Sequence, residues 1–270
     1  MTLKITTIFF FVFQSLVFWG QSGFTTIGGA NFVGYGRAGT NIEGIESIYL
    51  NQAGLTGVKN FAFDVSAERR FNLEELTNIS FAGAKTFKFG TVGVLISNFG
   101  YSDYSEQKFG LAYARKLSNA ISLGGQFDLL RLNISQFGSK NIYTFEIGMQ
   151  LRLNKDFSVA THVFSPGNIT INESTELGTR FRLGVKYQPS NKVFVLAEMD
   201  KLVYRDIEYK IGVSYQAIKE LQLRLGVNPS NETFSFGVVL NIKDSYKIAT
   251  AYSLQDNLGN TPAISLQYQK

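Results

Sequence analysis

The sequence predicts an all-β chain: an antiparallel transmembrane outer-membrane β-barrel of about 14 strands, with an N-terminal hatch or plug segment in its lumen. Three observations lead there. The first is strict alternation, clearest from Ile207 to Ile242. Ile207, Tyr209, Ile211, Val213 and Tyr215 fall on one face, with Glu208, Lys210, Gly212, Ser214 and Gln216 on the other. The pattern resumes after Lys219-Glu220 with Leu221, Leu223, Leu225 and Val227, and again after Pro229-Ser230-Asn231 with Phe234, Phe236, Val238, Leu240 and Ile242. Successive strand side chains point to opposite faces, so each run is a strand with one apolar and one polar side. A soluble sandwich turns such apolar faces inward, whereas a membrane barrel turns them to lipid and encloses its charges.

The second observation is composition. Charged residues make up only 17% of the 270 residues, below the roughly 25% of soluble domains. Phe (24) and Tyr (13) are plentiful enough to form girdles at two water–lipid boundaries. The third is an export signal with no later membrane helix. Lys4 precedes the apolar run Ile5 to Trp19, which Gln14 and Ser15 interrupt, and Gly20 and Ser22 follow. The run is too short and broken to span a bilayer, so residues 1–22 read as a secretory signal peptide cleaved between Gly20 and Gly23. No other stretch approaches the ~18 apolar residues of a spanning helix, and strands remain the only means of crossing. These features place the chain in the outer membrane of a Gram-negative bacterium.

Residues 23–58 form the hatch. They are glycine-rich and lack period-2 alternation, with a short helix expected around Ile42 to Leu50. Residues 59–270 form the barrel, with strands expected at Phe61–Arg70, Asn78–Phe89, Thr91–Tyr101, Glu106–Leu117, Ile121–Ile134, Asn141–Leu153 and Phe157–Ser165. The others are Leu177–Gln188, Lys192–Val203, Asp206–Gln216, Leu221–Asn228, Thr233–Ile242, Tyr246–Leu254 and Pro262–Gln269. Tight turns such as Ser118-Asn119, Asn154-Lys155, Pro189-Ser190-Asn191 and Asp244-Ser245 alternate with slightly longer connections.

With the apolar lists facing lipid, the lumen receives Asp64, Glu68, Asp128, Glu146, Glu198, Asp200 and Glu208. It also receives Lys108, Lys116, Arg152, Arg180, Arg182, Lys186, Lys210 and Arg224. An open ion pore tends to carry a ring of one sign. Near-balance suits charges paired within a filled interior, because an unpaired buried charge is costly. Lys85, Arg115 and Arg131 break the rule and would face lipid unless a bulge or strand end intervenes.

One stretch carries a resemblance. Arg37-Ala38-Gly39-Thr40, followed by Ser47 to Leu55 (SIYLNQAGL), is similar to the N-terminal signature of the PorV/PorQ family, FadL-like barrels of Bacteroidetes and related bacteria. The matching positions are Gly36, Arg37, Ala38, Gly39, Asn51, Ala53, Gly54 and Leu55; Gln52 stands where the family pattern has proline. The resemblance is specific over Gly28–Leu55 and implies a 14-stranded barrel with an N-terminal hatch. It further implies type IX secretion, through PorV and PorQ relatives, or fatty-acid uptake, through FadL.

Several chemistries are excluded or weakened. The chain has no cysteine and a single histidine, His162, which removes disulfides, thiolate metal sites and two-histidine sites. No Lys/Arg block resembles a nucleic-acid patch. Gly34 to Gly39 matches G-x-G-x-x-G, but dinucleotide binding needs a βαβ setting that an all-strand exported chain does not offer, so a tight turn in the hatch is the better reading. His162 lies on a polar face and reads as a lumen hydrogen-bonding group. Glu198 and Asp200 could be an acid pair or a cation site. With Arg180 and Arg182 one strand over they read instead as an ion-pair lattice, comprising Arg180, Arg182, Lys186, Glu198, Asp200, Glu208, Lys210 and Arg224.

No catalytic, metal or cofactor site is expected. After the signal and hatch, about 212 residues remain for ~14 strands, leaving short connections and no lobe to capture a ligand. The expectation is a non-enzymatic accessory or scaffold subunit, sitting in outer-membrane lipid beside one or more larger outer-membrane proteins such as a type IX secretion or assembly machine. The alternative is a FadL-like transporter of fatty acids or other hydrophobic ligands.

Overall fold

A computed structural model describes residues 20–21, 24, 28–167, 169–172, 175–243 and 245–270. The expected signal peptide therefore lies outside the described residues except for Gly20 and Gln21, as does Asp244 of the expected Asp244-Ser245 turn. In chain order the strands are β1 (Gly20–Gln21), β2 (Phe61–Arg69), β3 (Thr77–Phe87), β4 (Gly90–Gly100), β5 (Tyr104–Lys116) and β6 (Ile121–Ile134). Then come β7 (Gly138–Arg152), β8 (Phe157–Phe164), β9 (Ile169–Asn172), β10 (Thr175–Leu177), β11 (Arg180–Ser190) and β12 (Val193–Leu202). The last five are β13 (Ile207–Ile218), β14 (Leu221–Asn228), β15 (Thr233–Ile242), β16 (Tyr246–Gln255) and β17 (Gly259–Gln269).

Fourteen of these strands close into one antiparallel barrel, running from β2 to β8 and from β11 to β17. Closure is made by β17 against β2, from Ala263 opposite Glu68 to Gln269 opposite Ala62. A closed barrel leaves no strand edge to satisfy in lipid. The predicted strands match the observed ones within a few residues, with one exception. Leu177 was expected to open a wall strand but belongs to β10, which pairs with β9 and β1 in a separate small sheet. Alternation could not separate Leu177 from the run that starts at Arg180, because an apolar residue in a cap and one in a wall look alike in sequence.

One end of the barrel has short connections, two to four residues, such as 88–89 and 153–156; the other holds the longest, 165–179. Short turns mark the periplasmic end and the longer ones the outer end. Side chains alternate as expected. Phe234 and Phe236 are 45% and 44% exposed on the outer wall, while Asp64, Glu68 and Asp128 are fully buried inside. Tyr268 joins a lower aromatic cluster with Phe61, Phe63 and Tyr246. Phe87, Phe89 and Tyr113 stack in another at the same end. Lys85, Arg115 and Arg131 do point outward, without a bulge at their positions. They lie near strand ends, where a long stem lets the charge reach the water boundary.

Residues 28–58 contain the one-turn helix α1 (Ala30–Val33) and two short 3-10 turns, Ile45–Tyr49 and Gln52–Gly57. The expected helix around Ile42 to Leu50 is thus a tighter, shorter turn. The segment packs on β2 to β7 and on β15 to β17, which puts it inside the barrel.

Candidate functional site

The wall admits this inner segment where it presents no side chain. Gly212 and Gly226 stand directly opposite each other on β13 and β14, and Tyr35–Gly36 rests on the bare patch they form. A Cβ at Gly212 would lie 2.8 Å from Tyr35 Cβ, and one at Gly226 would lie 2.7 Å from Gly36 Cα. Gly124 on β6 seats Ala53, Gly93 on β4 seats Ile48, and Gly148 on β7 seats Asn51. Gly36 has φ of +61°, a conformation cheap only for glycine, and a Cβ there would meet Val227 N at 2.8 Å. These inward glycines carry no hydrophobic signal, and so the alternation could not mark them as a seat.

Polar side chains hold the segment in register. Glu198 Oε2 accepts from Gly39 N, Thr40 N and Thr40 Oγ1, each at 2.8 Å. Asp64 accepts from Asn31 Nδ2 at 2.8 Å and from Tyr49 OH at 2.7 Å. Arg37 donates to Glu68 at 2.5 and 3.3 Å. Asn51 Oδ1 accepts from Ala53 N at 3.2 Å, and Asn51 Nδ2 donates to Thr40 O at 2.9 Å. Ala38 and Leu55 are wholly buried, and Gly54 lies tight against Ile42 O and Ser47. Gln52 donates to Glu146 at 2.9 Å, a contact that a proline at this position would lack.

Around the segment, charges pair from strand to strand. Lys108 on β5 meets Asp128 on β6 at 3.5 Å and also pairs with Glu146 on β7. His162 Nε2 on β8 lies 2.8 Å from Glu146, and its Nδ1 lies 3.2 Å from Arg182 Nη1 on β11. A guanidinium can only donate, so Nδ1 accepts and Nε2 carries the proton given to Glu146. Arg182 and Arg180 reach Asp200 on β12 at 3.3 and 3.5 Å. Lys210 on β13 bonds Asp200 at 2.6 Å and Glu198 at 3.3 Å. The result is a girdle across seven adjacent strands.

The expected lattice is present in part. Arg180, Arg182, Glu198, Asp200 and Lys210 come together, and Glu208 stands 4.0 Å from Lys210 at a more open position. Lys186 and Arg224 do not join it. Lys186 lies over the Phe194 ring at 4.8 Å, and Arg224 covers Tyr35 at 4.5 Å while donating to Asn31 O. Arg224 sits where the inner segment, rather than a carboxylate, fills the space. The girdle's other half, Lys108, Asp128, Glu146 and His162, was legible as inward-facing but not as a chain of contacts, since that requires the strand registers.

Two features lie above the segment. One is a cavity of about 250 Å³ at the outer mouth, floored by Phe32, Gly36, Arg37 and Leu50. The other is an apolar patch of Leu130, Leu132 and Ile142 on the inner faces of β6 and β7, covered by Phe24, Ile171 and Leu177. Beside that patch β7 pairs with β8 only from Glu146 to Arg152. Its upper part, from Gly138, has its wall partner on the β6 side. Among the described residues no group of three or more His, Asp and Glu is placed to hold a metal.

The fold is shared with solved outer-membrane barrels. The toluene transporter TbuX of Ralstonia pickettii superposes with a TM-score of 0.65 at 11% identity, covering 87% of this chain and 96% of that one. The toluene transporter TodX of Pseudomonas putida gives 0.63 at 11% identity, covering 88% and 97%. A FadL homologue of Pseudomonas aeruginosa gives 0.65 at 9% identity, covering 88% and 98%. No family model matches the sequence, and no curated protein does. The chain thus has the FadL-like barrel fold. Its closed barrel, apolar wall and charged, filled interior place it in the outer membrane of a Gram-negative cell.

Proposed function

We propose that this barrel admits small hydrophobic molecules at the outer membrane while its filled lumen bars ions and water. One observation carries the reading. The inward apolar patch of Leu130, Leu132 and Ile142 is covered by Ile171 and Leu177 of the connection between β8 and β11, together with Phe24. It adjoins the stretch of β7 that lacks a β8 partner, so an apolar guest replacing the cover would meet the weakest part of the wall. Burying apolar surface there favours binding by ~25 cal/mol per Å². Barrels of the same fold described as toluene transporters support this choice over a purely structural role. The test is binding of toluene and of a fluorescent fatty acid to detergent-purified protein. Saturable binding, weakened roughly tenfold by Ile142→Asn, is expected. Lack of saturable binding by both probes refutes it.

A second reading rests on the signature at Gly36 to Gly39 and Asn51 to Leu55. As a relative of the PorV/PorQ group, the barrel would serve as an accessory subunit of a larger complex, its rigid plugged cylinder and mostly short connections suited to lateral docking. Co-purification with a much larger outer-membrane protein after mild extraction supports it, and recovery solely as a free monomer counts against it.

A further inference from the structure

The two ends of the barrel differ in the sign of their charge. Five of the six short turns between wall strands carry a lysine: Lys88, Lys155, Lys192, Lys219 and Lys243. The connections at the opposite end contain no lysine, and eight acids against two arginines, so the periplasmic end is the basic one. Three of the five lysines stand beside an acid in sequence: Lys155 by Asp156, Lys219 by Glu220 and Lys243 by Asp244.

One sector has no such balance. At this end of β3 to β5 lie Lys85, Lys88 and Arg115, all exposed. The sequence holds no Asp or Glu between Glu75 and Asp103, or between Glu106 and Asp128. Lys85 stands beside Phe61 on β2 and Val92 on β4, and Arg115 beside Leu123 on β6, so their neighbours on the outer face are apolar. Aromatic rings fix the height of these cations. Phe87, Phe89 and Tyr113 stack on the outer wall with successive centroids 5.2 and 6.4 Å apart, and Lys85 Nζ lies 5.4 Å from the centre of the Phe87 ring. Aromatic clusters at a barrel end mark the boundary between hydrocarbon and headgroups. Lys85 and Tyr113 both pair across to Val92, and Arg115 lies one pleat nearer the periplasm than Tyr113. Strand spacing and rise put the Cα atoms of Lys85 and Arg115 about 12 Å apart, near enough for both long side chains to approach one headgroup.

The side of the wall decides the occupant. These cations share the outer face with residues that lie in lipid, so an acidic soluble protein would have to displace lipid to reach them. A phosphate headgroup already stands at that height, and basic side chains at a membrane surface attract anionic lipid. We propose that this sector is a binding site for the headgroup of an anionic phospholipid in the periplasmic leaflet, such as phosphatidylglycerol, held by Lys85, Lys88 and Arg115 beside the aromatic stack. The site does not depend on what the barrel transports.

The test uses the processed protein with Leu123→Trp, which puts a fluorophore on the outer wall opposite Arg115. It is reconstituted in phosphatidylcholine vesicles with rising fractions of phosphatidylglycerol or phosphatidylcholine brominated on the acyl chains. Expected is quenching by brominated phosphatidylglycerol at a mole fraction at least about fivefold lower, a ratio that one cation near an anionic headgroup can supply. Adding Lys85→Gln/Lys88→Gln/Arg115→Gln should bring the two lipids level. Arg115→Gln alone, used if the triple variant fails to fold, should cut the preference at least about twofold. Equal quenching before these substitutions overturns the proposal, as does a preference that survives them. The same preference reported by Tyr143→Trp, toward the outer end of β7, overturns a site at the basic end. Loss of the preference on adding glycerol phosphate assigns the cations to free phosphate, and loss on adding a glutamate-rich peptide assigns them to an acidic protein; either result overturns a lipid site.

Discussion

Adding two methyl groups to the wall should unseat the inner segment. In a Gly212→Ala/Gly226→Ala variant the new Cβ atoms would come 2.8 Å from Tyr35 Cβ and 2.7 Å from Gly36 Cα. At Gly226 the obstacle is backbone, so no rotamer change relieves it. Overpacking of this kind costs ~1–3 kcal/mol per site, and because the two glycines face each other their effects need not add. A net ~2 kcal/mol raises the unseated population roughly 30-fold. Glu198 still grips Gly39 and Thr40, so the segment should lift at Tyr35–Gly36 without leaving the barrel. The assay is conductance across planar bilayers. Wild-type protein should show rare openings, and the double variant an open probability roughly 30-fold higher. A folded double variant with wild-type conductance would refute the idea that this glycine pair seats a plug.

Three further outcomes follow from the same contacts. Glu198→Ala removes three bonds to the inner segment and one partner of Lys210, and should cost ~3–5 kcal/mol, read as a lower temperature for loss of the compact gel form. Gln52→Pro deprives buried Glu146 of a donor, so it should destabilise by ~1–3 kcal/mol in urea unfolding. Phe236→Arg places a charge on the lipid face and should cost ~2–4 kcal/mol if it lies near the bilayer midplane, less nearer a boundary, read by unfolding in lipid.

Alternation made the wall legible because a strand buried on one side only must repeat its apolar residues every second position. Phe234 and Phe236 announced their face, and Asp200 and Lys210 announced theirs. The seat was not legible. Gly124, Gly148 and Gly226 matter for what they lack, and their partners lie far away in sequence. Nor could the course of residues 28–58 be read, since a chain without period leaves its path to tertiary contacts. The Glu198 latch on Gly39 and Thr40 spans 158 and 159 positions and leaves no local trace. The cap made by β9 and β10 was hidden for another reason: only Leu177 of it was read as strand, and it looked like the start of a wall strand.

Trp19 is the chain's only tryptophan and lies within the expected signal, so introduced tryptophans can report on each side of the wall. The deciding measurement compares quenching by lipids brominated on their acyl chains in two processed variants, Phe236→Trp and Phe32→Trp. Strong quenching of the Phe236→Trp variant, with Phe32→Trp unaffected, is the predicted result. Equal quenching of both, or a reversed order, would contradict a barrel that turns its apolar side to lipid around a filled interior.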